Sequence, residues 1–411
     1  MPALPLPTPL IDALTSPLPG GALYPEDYHA IIHFLRLYEG NRATLEAYRR
    51  ELERLLQWSW LIAKKSVLQL AREDIEHYIQ FCMQPPKTWI AKKHVPRYFE
   101  KQGQRKPNPQ WRPFLAKINK SEHKEGKKPS AVDYQMSPSS IRALFAISGS
   151  FYDHLLLDEK VQKNPIALIR QKSRYLQKQQ TTRQVIRLSD KQWQACLNAA
   201  KSMRKTAGNV HQRTLFIITA MYLMYLRISE FAANERWTPL MNHFYQDSHE
   251  QWWFKTLGKG NKLRTIAVSD NMLNALISYR KELKLTPLPS PSDNSPLVPK
   301  IKGQGPMEST RHIRRLIQAC FDQAIIQLRE KNHSEEADTL ETATVHWLRH
   351  TGISDDVNKR GRPMMHVRDD AGHASVVTTE KYSDVETKDR HQSAKMKTIN
   401  IRKDKHKKKS L

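Results

Sequence analysis

The chain has 411 residues and carries 67 Lys and Arg against 41 Asp and Glu, a net charge of +26. At roughly 100–200 residues per domain this length accommodates two or three domains. The hydrophobic share of 39% supports ordinary cores and excludes a wholly disordered chain. A surface this basic attracts polyanions, above all nucleic-acid phosphates. The basic residues recur along the chain as well as in the tail "IRKDKHKKKSL", as expected of a nucleic-acid binder.

Cys82, Cys196 and Cys320 are widely spaced and form no CxxC pair. This argues against a disulfide framework or a Cys-based zinc site and fits a reducing cytoplasm. The longest apolar run, "LFIITAMYLMYL" at 215–226, falls short of the ~20 residues a membrane span requires. It reads as a buried helix of a soluble protein, with no membrane partner.

Residues 1–22 are Pro-rich, lack the basic region of a signal peptide, and read as extended or disordered. A helical domain follows over 23–170. In "NRATLEAYRRELERLLQWSW", Leu45, Tyr48, Leu52, Leu55 and Leu56 share one face, with Arg49, Arg50, Glu53 and Arg54 opposite. "REDIEHYIQFCM" predicts another helix. "SPSSIRALFAISGSFYDHLL" predicts a third, with Ser137 as N-cap, Pro138 at the first turn and a buried stripe of Ile141, Leu144, Phe145, Ser148, Phe151 and Leu155. Residues 85–130 lack periodicity and read as a basic surface insertion, either a DNA-contacting arm or a solvated loop. A polar, basic linker spans 171–184, and a second domain covers 185–390. It opens with a capping box at Ser189 and Gln192. A basic, disordered tail closes the chain over 391–411.

Four stretches of the second domain concentrate unusual residues. "YLRISE" brings Arg227 out where an apolar helix meets something polar; alone, such an arginine is a helix-dipole partner or pairs with Glu230. "QWWFKTLGKGNKLRTIAV" reads as a β-hairpin whose Gly-rich turn carries Lys259; its spacing is not that of a phosphate-binding P-loop. In "TVHWLRHTGIS", His346 and Arg349 point to one side of a helix. His346 and His350 have zinc-ligand spacing, but no Glu base stands between them. "AGHASVVTTEKYSDV" holds His373 and, nine positions later, Tyr382.

Metal-free phosphodiester cleavage needs a nucleophile, cations for the nonbridging oxygens and a proton for the leaving oxygen. Two arginines suit those oxygens, histidines supply hydrogen bonds or move protons, a lysine serves as general acid, and a tyrosine forms a phosphotyrosyl bond. In chain order the sequence presents Arg227, Lys259, His346, Arg349, His373 and Tyr382. With these motifs in this order, residues 185–390 resemble the catalytic domain of the tyrosine recombinase, or phage integrase, family. The first domain resembles that family's helical core-binding domain through "NRATLEAYRRELERLLQW" and "SPSSIRALFAISGSFYDHLL".

The resemblance implies a mainly α fold with a small β-sheet or hairpin. It would comprise a helical core-binding (SAM-like) domain and a mixed α/β catalytic domain, together forming a clamp around double-stranded DNA. It also implies a homotetramer on specific recombination sites, with accessory DNA-bending proteins as further partners, and a cytoplasmic location on a bacterial nucleoid. Tyr382 would attack the scissile phosphate and become linked to the 3′ end. Arg227 and Arg349 would bind nonbridging oxygens with help from His346 and His373. Lys259 would protonate the leaving 5′-hydroxyl, with Lys262 as the backup. No cofactor and no metal are implied. The expected activity is site-specific recombination, integrating or excising a mobile element; the alternatives are resolution of chromosome dimers, a type IB topoisomerase, a DNA-binding protein without catalysis, and a metal-dependent nuclease using nearby His and Asp residues. Asp355 and Asp356 stand where the family has small or apolar residues, and Ala371 where it often has Leu. These two acids, with Asp369 and Asp370, are expected to face solvent or to pair with Arg360, Arg362 or Arg368.

Overall fold

The computed structural model describes residues 5–16, 18–20, 22–119, 122–123, 125–172, 187–207, 209–258, 260–380, 382 and 394–395. The chain divides into two compact units, Met1–Thr181 and Thr182–Leu411. The expected linker at 171–184 and basic tail at 391–411 fall almost entirely outside the described residues.

In the first unit the helices are α1 (Pro25–Arg36), α2 (Arg42–Trp58), α3 (Arg72–Met83), α4 (Pro138–Leu157) and α5 (Pro165–Lys172). Local chemistry sets their starts. Asn41 accepts a hydrogen bond from the Thr44 amide at 3.3 Å, and Ser137 caps α4 through the Ser140 amide at 3.1 Å, with Pro138 at the first turn. The predicted stripe Ile141, Leu144, Phe145, Ser148, Phe151 and Leu155 is buried throughout, so α4 is a central element of this core.

Three features of this unit depart from expectation. The polar face of α2 is only partly solvated: Arg50 is exposed, but Glu53 and Arg54 are buried. Glu53 accepts from the backbone amides of Leu10 at 2.5 Å and Ile11 at 2.9 Å and pairs with Arg97. Arg54 pairs with Glu51 at 2.8 Å. The Pro-rich segment is therefore held along α2, with Ile11 fully buried, rather than disordered over its described part. The insertion also enters the core: β1 (Ile90–Ala91) pairs parallel with β4 (Phe114–Leu115), and Trp89 and Phe114 are buried. Between them β2 (Tyr98–Lys101) and β3 (Gln104–Pro107) form an exposed antiparallel hairpin.

In the second unit, α6 (Asp190–Ala207) starts at the predicted capping box. The Ser189 amide donates to Gln192 Oε1 at 3.0 Å, and the Gln192 amide donates to Ser189 Oγ at 3.2 Å. The apolar helix α7 (Asn209–Leu223) follows, ending three residues before Leu226, where the sequence pattern placed its end. Strands β5 (Phe244–Gln246), β6 (Trp252–Leu257) and β7 (Leu263–Ala267) form one antiparallel sheet in that order. The register Leu257↔Leu263 leaves the Gly-rich turn between β6 and β7. Helices α8 (Asp270–Glu282), α9 (Thr310–Glu330), α10 (Ser334–Glu341), α11 (His346–Asn358), α12 (Met364–Ala371) and α13 (Val376–Glu380) complete the unit. Gly352 lets α11 approach α7, since a Cβ there would lie 1.9 Å from the Tyr222 carbonyl oxygen. Among the described residues no helix is long and apolar enough to cross a membrane, and the three cysteines are free and buried.

Candidate active site

The site is built where α11 and the segment after α12 meet the end of α7. Arg349, one turn into α11, is only 4% exposed. Its guanidinium donates to the backbone carbonyls of Tyr225 and, at 2.5 Å, Ala371, and lies 3.2 Å from His373 Nε2. Tyr225 takes a left-handed backbone (φ 53°) that is uncommon for a bulky residue; its carbonyl is an acceptor for Arg349. Burial, Arg227 and Arg264 push the Arg349 guanidinium down to about 9, so it stays charged at neutral pH.

Arg227 caps the short 3-10 turn Ile228–Phe231, with its side chain 22% exposed. Its backbone amide donates to Glu230 Oε2 at 2.8 Å, and its guanidinium reaches Oε1 at 3.4 Å. Glu230 is buried and is held more tightly by Arg264 of β7, whose two terminal nitrogens donate at 2.6 and 2.8 Å. Arg264 also donates to the Asp370 carbonyl at 3.0 Å, which ties the hairpin to α12. One carboxylate thus faces two guanidiniums, and Arg349 adds a third positive group nearby. Such a cluster is suited to an anion with several oxygens.

His373 follows Gly372, which ends α12 in the left-handed region (φ 63°). A Cβ at Gly372 would come 2.8 Å from Arg264 Cδ, so this position needs glycine for both its φ and its space. His373 Nδ1 lies 3.0 Å from Thr379 Oγ1, and its ring stacks on Tyr382 with centroids 5.9 Å apart. Tyr382 is 6% exposed. Its backbone amide donates to Thr379, and its carbonyl accepts from Asn358 at 2.7 Å. Burial raises the Tyr382 phenol, against the opposing effect of Arg349 and Arg227.

Of the residues singled out in the sequence, Arg227, Arg349, His373 and Tyr382 converge here. His346, exposed at the start of α11, is pushed down by partial desolvation and by Arg349, Arg314 and Arg227. Lys259 lies outside the described residues; Lys262, the backup, is exposed at the end of the turn. The sequence offers His350 only as a metal ligand, yet its Nδ1 lies 2.6 Å from the Tyr382 hydroxyl. Burial, His346 and Arg349 push His350 down to about 4, and burial with the arginines pushes His373 to about 4, so both rings are neutral at pH 7. The signal for His350 was its place immediately after Arg349, but only the path of the chain back to Tyr382 reveals the contact.

The acidic residues of this region are structural. Asp355 is buried and accepts from the Tyr222 hydroxyl at 2.7 Å, with Lys359 at 2.9 Å and Arg187 at 3.4 Å. Asp356 is buried between Arg360, Arg362 and the Tyr225 hydroxyl. Asp370 pairs with Arg362 at 2.7 Å, and exposed Asp369 with Arg368. Solvent exposure therefore holds only for Asp369, and Asp355 takes partners outside the expected three arginines.

No protein-family model and no curated protein matches the chain. Solved structures do. A XerH site-specific recombinase bound to palindromic difH substrate, in a post-cleavage complex, aligns over 93% of this chain and 92% of its own, with a TM-score of 0.53 and 13% identity. The Tn1549 transposon integrase in complex with circular intermediate DNA aligns over 90% and 98%, with a TM-score of 0.50 and 14% identity. Mainly helical, with a three-stranded sheet beside its arginine cluster, the chain has the fold of the tyrosine recombinases.

Proposed function

We propose that this protein is a site-specific DNA recombinase that cleaves and rejoins duplex DNA through a 3′-phosphotyrosyl intermediate. The observation that carries this is the convergence of a buried tyrosine hydroxyl, a neutral histidine acceptor and an arginine cluster. A protein that only binds DNA needs surface cations, not a phenol hydrogen-bonded to an imidazole 2.6 Å away.

In the proposed reaction the Tyr382 oxygen forms a bond to phosphorus as the bond to the 5′-oxygen breaks. The phenolic proton passes to His350 Nδ1, which is neutral and within reach. Arg227 and Arg349 bind the nonbridging oxygens, whose negative charge relieves the mutual repulsion of the guanidiniums. His346 donates a further hydrogen bond, and His373, with its ring nitrogens on Thr379 and Arg349, holds the Arg349 guanidinium in place. Lys259, which follows β6 in the sequence, donates the proton to the leaving 5′-hydroxyl. Rejoining reverses these steps with a different 5′-hydroxyl, so neither ATP nor a metal takes part in the chemistry.

The partner is double-stranded DNA carrying a specific recombination site, and strand exchange brings four protomers together on two such sites, with DNA-bending proteins as accessories. Integration or excision of a mobile element is the favoured role, with chromosome-dimer resolution as the alternative. Strand cleavage measured with and without EDTA separates this chemistry from that of a metal-dependent nuclease: covalent cleavage should persist in the chelator, and its loss would overturn the proposal.

A further inference from the structure

In the first unit, α1 and α4 place two imidazoles and a carboxylate around one point. His33 Nδ1 and His154 Nε2 are 3.2 Å apart, and Asp158 Oδ2 lies 3.6 Å from the first and 3.5 Å from the second. Among the described residues this is the one group of three or more His, Cys, Asp or Glu side chains whose ligand atoms converge closely enough to hold a metal ion.

A tetrahedral zinc ion bonds nitrogen at ~2.0–2.1 Å and oxygen at ~2.0–2.2 Å, so neighbouring ligand atoms stand about 3.3–3.5 Å apart. The three observed distances bracket that edge length. A simple imidazole–imidazole hydrogen bond explains the shortest of them. It does not explain the carboxylate oxygen, which is nearly equidistant from both nitrogens yet beyond ordinary hydrogen-bond length from either.

The donors are held in place by the fold. His154 and Asp158 are four residues apart on one face of α4. Asp158 is the C-cap residue of that helix, fixed by the turn beyond it: Glu159 is left-handed (φ 55°), its amide donates to the Leu156 carbonyl at 3.1 Å, and the Lys160 amide donates to the Leu155 carbonyl at 2.9 Å. Phe34, next to His33 on α1, packs edge-on against Phe151 of α4 with centroids 5.5 Å apart and lies 5.3 Å from the His154 ring. The His33 side chain is 58% exposed, which leaves the point open to solvent ions.

We infer that His33, His154 and Asp158 form a binding site for a divalent transition cation of the zinc class, which clips α1 to α4. Two imidazoles favour such an ion over calcium or magnesium, which prefer all-oxygen shells. Water completes the fourth position. Lys160, 4.0 Å from Asp158 Oδ2, is the cation the metal displaces from the carboxylate. The site belongs to the first unit and takes no part in the chemistry proposed for Tyr382, so it stands or falls independently of that chemistry.

The test uses the full chain stripped with a chelator, titrated with Co2+ and with Zn2+, and requires no DNA. Wild type should develop the visible bands of tetrahedral Co2+ and lose them on adding Zn2+. At ~100-fold excess over its dissociation constant, Zn2+ should raise the melting temperature by roughly 5 °C or more. His33→Gln and Asp158→Asn alter solvent-accessible side chains, so both should melt like wild type without metal while binding at least ~10-fold more weakly. If one of them is destabilised without metal, the Co2+ spectrum of the other decides. Absence of bands and shift in wild type would overturn the site. Bands and shift unchanged in both variants would also overturn it, since they would then reflect an adventitious ion only, held elsewhere.

Discussion

His350 Nδ1 lies 2.6 Å from the Tyr382 hydroxyl. Burial pushes the imidazole down to about 4 and raises the phenol, so both are neutral, and the proposed proton transfer uses the Nε2–H tautomer of His350, whose Nδ1 accepts from the tyrosine. His350→Gln should therefore slow covalent cleavage by ~10²-fold or more while leaving DNA affinity within about threefold of wild type. Single-turnover cleavage measured beside a binding isotherm decides it; an unchanged rate would remove His350 from the chemistry.

The two arginines should separate. Arg227 is partly exposed and contacts only Glu230 among the described polar groups, so Arg227→Ala should cost ~10²–10³-fold in cleavage with little change in melting temperature. Arg349 also holds the Tyr225 and Ala371 carbonyls. Arg349→Ala should lose cleavage and, in addition, ~2–4 kcal/mol of stability from the buried acceptors left without a donor. Denaturant titration of the two variants tests the contrast, which equal stability losses would contradict.

Acid should loosen the second unit. His350 and His373 titrate at about 4 in the folded chain, against ~6.5 when unfolded. A depressed folded value means that the stabilisation is fully present above pH 6.5 and is lost as the pH falls towards 4. The melting temperature at pH 5 should lie below that at pH 7, and His350→Gln should shrink the difference. An unchanged difference would show that His350 is not held neutral by the fold.

The general acid can be assigned with modified DNA. Lys259→Ala should slow cleavage of ordinary DNA by ~10²–10⁴-fold and recover on a strand whose leaving 5′-oxygen is replaced by sulfur, because a thiolate departs without a proton. Lys262→Ala should be near normal on both substrates. The reverse pattern would move the assignment to Lys262.

Much of this was legible in the sequence, for identifiable reasons. Helix starts follow from side-chain caps a few residues away, as at Ser137 and at Ser189 with Gln192. The arginine, histidine and tyrosine motifs announced a site because such residues are rarely needed together for packing. What the sequence does not reveal depends on contacts between distant segments. Helical periodicity assigns Glu53 to the solvent face of α2, and only the Pro-rich segment lying along that face shows why the carboxylate is buried. Asp355 and Asp356 look out of place in an apolar helix until Tyr222 and Tyr225 reach across from the end of α7. His350 belongs to the same class, since its partner is 32 residues away in the chain.

The most direct measurement is capture of covalent protein–DNA complexes under denaturing conditions, wild type beside Tyr382→Phe, with sequencing of the attached ends. Wild type should yield 3′-linked ends clustered at one sequence, whose neighbourhood also separates mobile-element junctions from a chromosomal resolution site, while Tyr382→Phe yields none. Equal adducts from both proteins, or none from wild type on DNA carrying the site it binds, would contradict phosphotyrosyl cleavage by Tyr382.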